Sequence, residues 1–245
     1  MEIIILNSAE EMSKKGAEIV AAAVKRNPKA VLGLATGGTP VKMYAELIKL
    51  YKNGVLDFKK ARTFNLDEYV GLPGTHDQSY RYFMNENLFN HININKKNTN
   101  VPDGLAKDIE KSCAAYEAKI NAWGGIDLQV LGIGSNGHIA FNEPLSGIMT
   151  RTRKVAISQR TITDNARFFK SMNEVPKTAV TMGIGTILKA KKIILLASGS
   201  NKADVIAAAV EGPITHLIPA SFLQFHPDTV FVLEKEAASK LKGKY

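Results

Sequence analysis

Short apolar runs that alternate with stretches of helical periodicity constrain this chain more than any other feature. The runs lie at 3–6, 30–34, 63–66, 128–131, 155–157, 179–181, 193–197 and 230–233. Helical patterns follow near 9–26, 40–52, 79–90, 108–123, 159–170, 184–190, 202–211 and 234–242. Several runs are continuously apolar, as strands buried on both faces should be. The alternation predicts an α/β fold of Rossmann-like layering: an open, mostly parallel sheet with helices on both faces. Ser8 and Glu11 form a capping-box pattern before the first helix, and Pro40 suits the first turn of the second. Within the 245 residues there is no internal repeat, low-complexity stretch or Pro/Gly/Ser-rich linker, so one domain over 1–245 is expected.

Composition removes several classes of function. The N-terminal segment reads as a first strand without a basic leader region, and no run approaches the ~18 apolar residues of a membrane span. A cytoplasmic protein without a membrane partner is expected. The single cysteine, Cys113, cannot form an intrachain disulfide, which agrees with a reducing compartment. The net charge of +9 comes from scattered residues such as Lys25-Arg26, Lys59-Lys60, Lys96-Lys97 and Lys191-Lys192. They form no stripe with interleaved aromatics, so the expectation is a solvated surface that draws in small anions, with no nucleic acid partner.

In open α/β sheets, ligands bind outside the carboxyl ends of the strands. Four polar or glycine-rich segments follow directly on predicted strands: Thr36-Gly-Gly-Thr39, Asp67-Glu-Tyr69, Gly132 to Glu143, and Ser198-Gly-Ser-Asn-Lys202. Parallel strands would bring all four to one sheet edge. Thr36, Gly37, Gly38 and Thr39 lead into a helix, so their N–H groups and hydroxyls can cradle an anion; a plain strand–helix turn is the other reading. No Gly-Lys-Thr follows, which points away from a nucleoside triphosphate and toward a phosphomonoester. Lys202 is either a point charge for the same anion or a solvated lysine in a first turn. Arg167 reads as a surface residue, a phosphate clamp or part of a lid. Asp67 and Glu68 are either a general base with its neighbour or a surface or capping acidic pair. Adjacent side chains leaving a strand diverge, and Asp67 is taken as the one that faces the site.

Gly132, Gly134 and Gly137 spell G-x-G-x-x-G, the fingerprint of dinucleotide binding. The rest of that pattern is absent. Pro144 interrupts the expected helix, and Ile157 and Ser158 stand where a ribose-binding acid belongs. What remains is His138 with Glu143 downstream and Asn136 upstream, either a structural histidine or an acid/base device oriented by a carboxylate. The five histidines show no metal-ligand spacing, and no G-x-S-x-G elbow accompanies them. The predicted chemistry is acid/base catalysis on a phosphorylated small molecule, with neither metal nor organic cofactor.

With these residues in view, the chain resembles the glucosamine-6-phosphate deaminase family over nearly its whole length. The resemblance is carried by Leu32-Gly-Leu-Ala-Thr-Gly-Gly-Thr-Pro40, Asn65-Leu-Asp-Glu-Tyr-Val-Gly-Leu72, Gly132-Ile-Gly-Ser-Asn-Gly-His-Ile-Ala-Phe-Asn-Glu-Pro144 and Ser198-Gly-Ser-Asn-Lys-Ala203. The related 6-phosphogluconolactonases share the phosphate and glycine–histidine loops, and a sugar-lactone hydrolase is the alternative. The resemblance implies conversion of glucosamine 6-phosphate and water to fructose 6-phosphate and ammonium in amino-sugar catabolism. It implies ring opening by His138, orientation of that ring by Glu143 and Asn136, and proton transfer from C2 to C1 by Asp67. Thr36 to Thr39, Arg167 and Lys202 would hold the phosphate. Some family members carry Asp where this chain has Asn136; an amide cannot share the charge, which leaves Glu143 most of the orienting work. Val155 replaces a basic residue of the allosteric members, whose chains also extend beyond the position of Tyr245. A non-allosteric enzyme is expected, with a monomer favoured.

Overall fold

The computed structural model describes residues 1–166 and 169–245; Arg167, a predicted phosphate ligand, lies outside the described residues. In chain order the elements are β1 (Glu2–Leu6), α1 (Ala9–Arg26), β2 (Val31–Leu34), α2 (Gly38–Lys52), β3 (Arg62–Asn65), β4 (Asp67–Tyr69), α3 (Tyr80–Asn87), β5 (Thr99–Asn100) and α4 (Ile109–Ala122). There follow β6 (Leu128–Leu131), β7 (Arg153–Ala156), α5 (Gln159–Asn165), β8 (Thr178–Thr181), α6 (Ile184–Ile187), β9 (Ile193–Ala197), α7 (Ala203–Val210) and β10 (Thr229–Glu234).

The main sheet has the order β1-β10-β9-β6-β2-β3-β5, with parallel pairing throughout. From β2 the chain proceeds to β3 and β5 on one side. From β6 it proceeds to β9 and β10 on the other. The direction of winding therefore reverses between β2 and β6, which pair through Leu32↔Leu128 and Gly33↔Gln129. This is the position at which such sheets open a crevice beyond their strand ends.

Side-chain alternation along the strands builds two cores. Leu32, Leu34, Leu128, Val130, Ile194 and Leu196 pack with Val20 of α1 and with Met43 and Leu47 of α2. Val31, Leu131, Ile193, Leu195, Phe231 and Leu233 face the other way, against Ile120 of α4 and against Val205, Ile206 and Ala209 of α7. Burying each such side chain contributes ~1.5–3 kcal/mol, and this explains why the strands are apolar on consecutive positions. Ser8 caps α1 by accepting the Glu11 N–H at 3.1 Å, and the Glu11 carboxylate accepts the N–H of Asn7, one residue before the cap. Among the described residues, no helix is long and apolar enough to cross a membrane.

Three expectations need correction. The runs at 155–157 and 179–181 belong to a second, antiparallel sheet, β4-β8-β7, in which Thr181 pairs with both Asp67 and Arg153. β4 itself read as a loop because three residues carry too little periodicity to register. The helix expected at 234–242 is a series of turns: β10 runs on to Glu234, and Ala237 and Ala238 are buried. The end of this segment is held from outside, since the Glu211 carboxylate accepts the N–H groups of Lys242 and Gly243 at 2.8 and 2.7 Å. The helix expected over 159–170 ends at Asn165, as α5.

Candidate active site

β9, β6, β2 and β3 are neighbours in the sheet, so the segments that follow them leave from one edge. A cavity of about 210 Å³ opens there, lined by Ala35 to Pro40, Asp67, Gly132 to Ser135, His138 and Lys202. Leu66, Tyr80, Ala140, Phe141, Thr161 and Asn165 complete its wall. The parallel order thus brings residues from four distant segments to one place.

The anion cradle is made by the entry to α2. Gly37 has φ 92°, which only glycine adopts without strain, and the helix begins at Gly38 with no side-chain cap and no acidic residue in its first turn. A helix of 15 residues with its first N–H groups open to a cavity favours an anion. Lys202 enters from the segment after β9 and donates from Nζ to the Ile133 carbonyl at 2.8 Å, joining the third and fourth loops.

The acidic pair divides its work. Glu68 turns away from the cavity and accepts the N–H groups of Tyr69, Tyr80 and Arg81, each at 2.9 Å. It ties the start of α3 to β4 and so sets Tyr80 in the wall. The Asp67 carboxyl faces the cavity and receives no hydrogen bond from the described residues, although it is only 6% exposed. Burial, with a lesser push from the Glu68 charge, raises its pKa to about 8.

The glycine-rich loop holds the imidazole. A Cβ on Gly134 would stand 2.2–2.4 Å from Cε1, Nε2 and Nδ1 of His138, so this glycine is the floor on which the ring lies. Gly137 turns the chain at φ 86°, with Ile218 against it. Asn136 stands between the histidine and the carboxylate: its Nδ2 donates to Glu143 Oε2 at 2.7 Å, and its Oδ1 accepts from His138 Nδ1 at 2.8 Å. Since the amide oxygen only accepts, Nδ1 is the donor in this contact, which leaves Nε2 as the ring nitrogen available for proton exchange with a bound substrate. Glu143 Oε2 is 3.6 Å from Nδ1, too far for a hydrogen bond, so the carboxylate orients the ring through the amide. Burial opposes the Glu143 charge, but His138, Thr161 and Asn136 outweigh it and hold its pKa at about 2.

Several participants carried no local mark. The hydroxyls of Ser158 and Thr161 both donate to Glu143 Oε1 from α5, the first at 3.0 Å. Asn165 Nδ2 donates to the Tyr69 hydroxyl at 2.9 Å. Ala140 has φ 53°, an uncommon conformation beside the site. Buried Asn142 fastens it, donating to the Ile139 and Met182 carbonyls at 3.0 and 2.8 Å and accepting from Arg153 at 3.0 Å. Among the described residues, no group of three or more His, Cys, Asp or Glu side chains is placed to hold a metal ion.

Known proteins are similar to this chain in sequence and fold. A profile of the family described as glucosamine-6-phosphate isomerases/6-phosphogluconolactonase matches residues 7–231. A glucosamine-6-phosphate deaminase of Clostridium perfringens is 56% identical over 242 residues, 99% of this chain and 100% of its own. That of Clostridioides difficile is 54% identical, covering 100% of this chain and 98% of its own. Among solved structures, a monomeric glucosamine-6-phosphate deaminase superposes with a TM-score of 0.96 at 44% identity, covering 98% of this chain and 100% of that one. A 6-phosphogluconolactonase from Trypanosoma cruzi shares the fold, with a TM-score of 0.79 at 24% identity over 99% of this chain and 97% of that one.

Proposed function

Since the chain belongs to the family of glucosamine-6-phosphate isomerases and 6-phosphogluconolactonases, we propose that it is an enzyme of the deaminase branch. It converts glucosamine 6-phosphate and water to fructose 6-phosphate and ammonium. The observation that carries this reading is identity of 54–56% to named deaminases over essentially the full length of both chains. Two 6-phosphogluconolactonases share the fold at only 24% and 22% identity.

The phosphate of the substrate docks on the N–H groups and hydroxyls of Thr36 to Thr39 and on Lys202, with Arg167 as a further ligand. Its binding energy positions C1 and C2, which lie remote from it. His138 Nε2 takes the C1 hydroxyl proton and delivers it to the ring oxygen; the C1–O bond to the ring breaks and a C1 carbonyl forms. Asp67, as carboxylate, removes the C2 proton and returns it to C1. The C1 carbonyl oxygen also gains a proton and becomes an alcohol, while the amine at C2 gives one up and becomes an imine, so this isomerisation conserves every atom. Water adds to that imine, the C–N bond breaks, and ammonia leaves to be protonated to ammonium. No metal or organic cofactor enters these steps.

The deciding experiment incubates the protein with glucosamine 6-phosphate and measures ammonium and fructose 6-phosphate together. Equal yields are expected, with no hydrolysis of 6-phosphogluconolactone; lactone hydrolysis without ammonium release would overturn the reading. The whole chain, 1–245, acts as one catalytic domain, in the cytoplasm and as a monomer. A solved relative described as monomeric supports this oligomeric state. Val155 supports simple kinetics, so the same assay is expected to give a hyperbolic curve that N-acetylglucosamine 6-phosphate leaves unchanged.

Lys202→Met tests the phosphate site. A hydrogen bond to a charged group contributes about 1.5–3 kcal/mol, so KM is expected to rise about 10–100-fold with a smaller change in kcat. An unchanged KM would remove Lys202 from the phosphate site.

A further inference from the structure

The hydroxyls that reach Glu143 from α5 form a connection that the reaction scheme leaves unused. Ser158 is the N-cap of α5, accepting the Thr161 N–H at 3.2 Å, and its Oγ donates to Glu143 Oε1 at 3.0 Å. Thr161 donates to the same oxygen and is 3% exposed, with its side chain also in the cavity wall. The other carboxylate oxygen, Oε2, accepts from Asn136, whose Oδ1 in turn accepts from His138 Nδ1. One unbroken chain therefore runs from the first turn of α5 to the imidazole, through a carboxylate with one oxygen committed to each end. The opposite end of α5 is also attached to the site, through Asn165 and the Tyr69 hydroxyl.

A carboxylate on a flexible side chain does not hold a position unaided. Glu143 has several rotatable bonds and, among the described residues, a single hydrogen bond on the histidine side, from Asn136, with His138 Nδ1 farther off at 3.6 Å. Without the two hydroxyls its Oε1 would be a half-buried acceptor lacking a donor, which a rotation toward water would relieve. That rotation would break the bond from Asn136 Nδ2, free the amide to turn, and remove the acceptor that keeps the proton on Nδ1.

We propose that Thr161, assisted by Ser158, is a positioning residue for His138: seating α5 locks Glu143, and Glu143 through Asn136 holds Nε2 toward the substrate ring oxygen. The inference rests on the reading that His138 opens the sugar ring. It makes α5, which touches both Glu143 and Tyr69, the element whose seating completes the acid/base machinery.

Thr161→Val removes the hydroxyl at nearly constant volume, and Thr161→Ser retains it. For Thr161→Val, kcat is expected to fall about 10-fold or more with KM changing by less than about 2-fold. Thr161→Ser is expected to restore most of the rate. The direct reading is the proton NMR resonance of His138 Nδ1–H, a hydrogen-bonded proton on the far side of the ring from the cavity. In the unliganded protein it should move or broaden in Thr161→Val and stay in place in Thr161→Ser. A wild-type kcat in Thr161→Val, or a lowered kcat with an unmoved resonance, would overturn the proposal. Should Thr161→Val fail to fold, Ser158→Ala decides by the same resonance, at a smaller displacement. The resonance needs no turnover, so absence of ammonium from the wild type would refute the assigned reaction and leave this connection separately measurable.

Discussion

Asp67→Asn is expected to lower kcat/KM for deamination by about 10²–10⁴-fold, the usual range for loss of a general base. An amide of the same shape still lines the cavity, so substrate binding should persist. The wild-type profile of kcat/KM should rise with pH through an inflection near 8, where Asp67 becomes the carboxylate that accepts the C2 proton. The variant should lose that limb. An ordinary carboxylate inflection near pH 4, or a fully active variant, would remove Asp67 from the role of base.

The same substitution has an opposite consequence for stability. The folded pKa of Asp67 lies above its unfolded value, so between about pH 4 and 8 the folded chain holds a proton that the unfolded chain has lost. Stability therefore declines across that window as pH rises, and above pH 8 the full burden of a buried carboxylate is present. Asparagine carries no such charge. Tm should accordingly rise by on the order of 5 °C in Asp67→Asn at pH 8.5, with the difference vanishing toward pH 4. A variant less stable than the wild type at both pH values would contradict this account. Activity and stability are opposed at this residue because a base with a high pKa is one that the fold makes uncomfortable.

Gly134→Ala is expected to lower kcat about 10²-fold, the usual cost of a misplacement near 1 Å in a reacting group. The added methyl would stand 2.2–2.4 Å from three atoms of the His138 ring, closer than any real carbon contact. The ring cannot yield freely, because Asn136 holds Nδ1 at 2.8 Å. Gly134 is not among the glycines with positive φ, so alanine is permitted by the backbone and the effect is confined to the imidazole. Thermal stability should change little beside kcat, and His138→Asn marks the floor to which the rate falls. A Gly134→Ala variant with wild-type kcat would show that the ring does not need this seat.

Much of the architecture was legible in local pattern. Continuous apolar runs marked the parallel strands because both faces of the sheet are covered, and α1 was readable at both ends from its cap and its periodicity. β4 and β7 were harder, since a three-residue strand and one with alternating half-buried positions carry little hydrophobic record. Arg62 to Asn65 shows the same ambiguity at one end: the predicted strand began a residue later because the arginine is polar, although its backbone pairs with Val31.

The deaminase-like motifs, the choice of the four strand-end loops and the separation of this glycine run from a dinucleotide site all follow from residue order, because each depends on spacing over a few residues. The division of labour within the site does not. Asp67 and Glu68 are neighbours in the chain, yet one is a desolvated carboxyl at the cavity and the other caps α3; burial and the N–H groups of residues 80 and 81 separate them. Asn136 looked like a substitution that shifted work onto Glu143, and in the fold it is the bridge through which Glu143 acts. Thr161 and Ser158 lie 18 and 15 positions from the carboxylate they hold. Contacts of that kind are set by how β7 and α5 return across the sheet edge. Periodicity reports which face of an element is buried and gives no account of which distant group it will meet there.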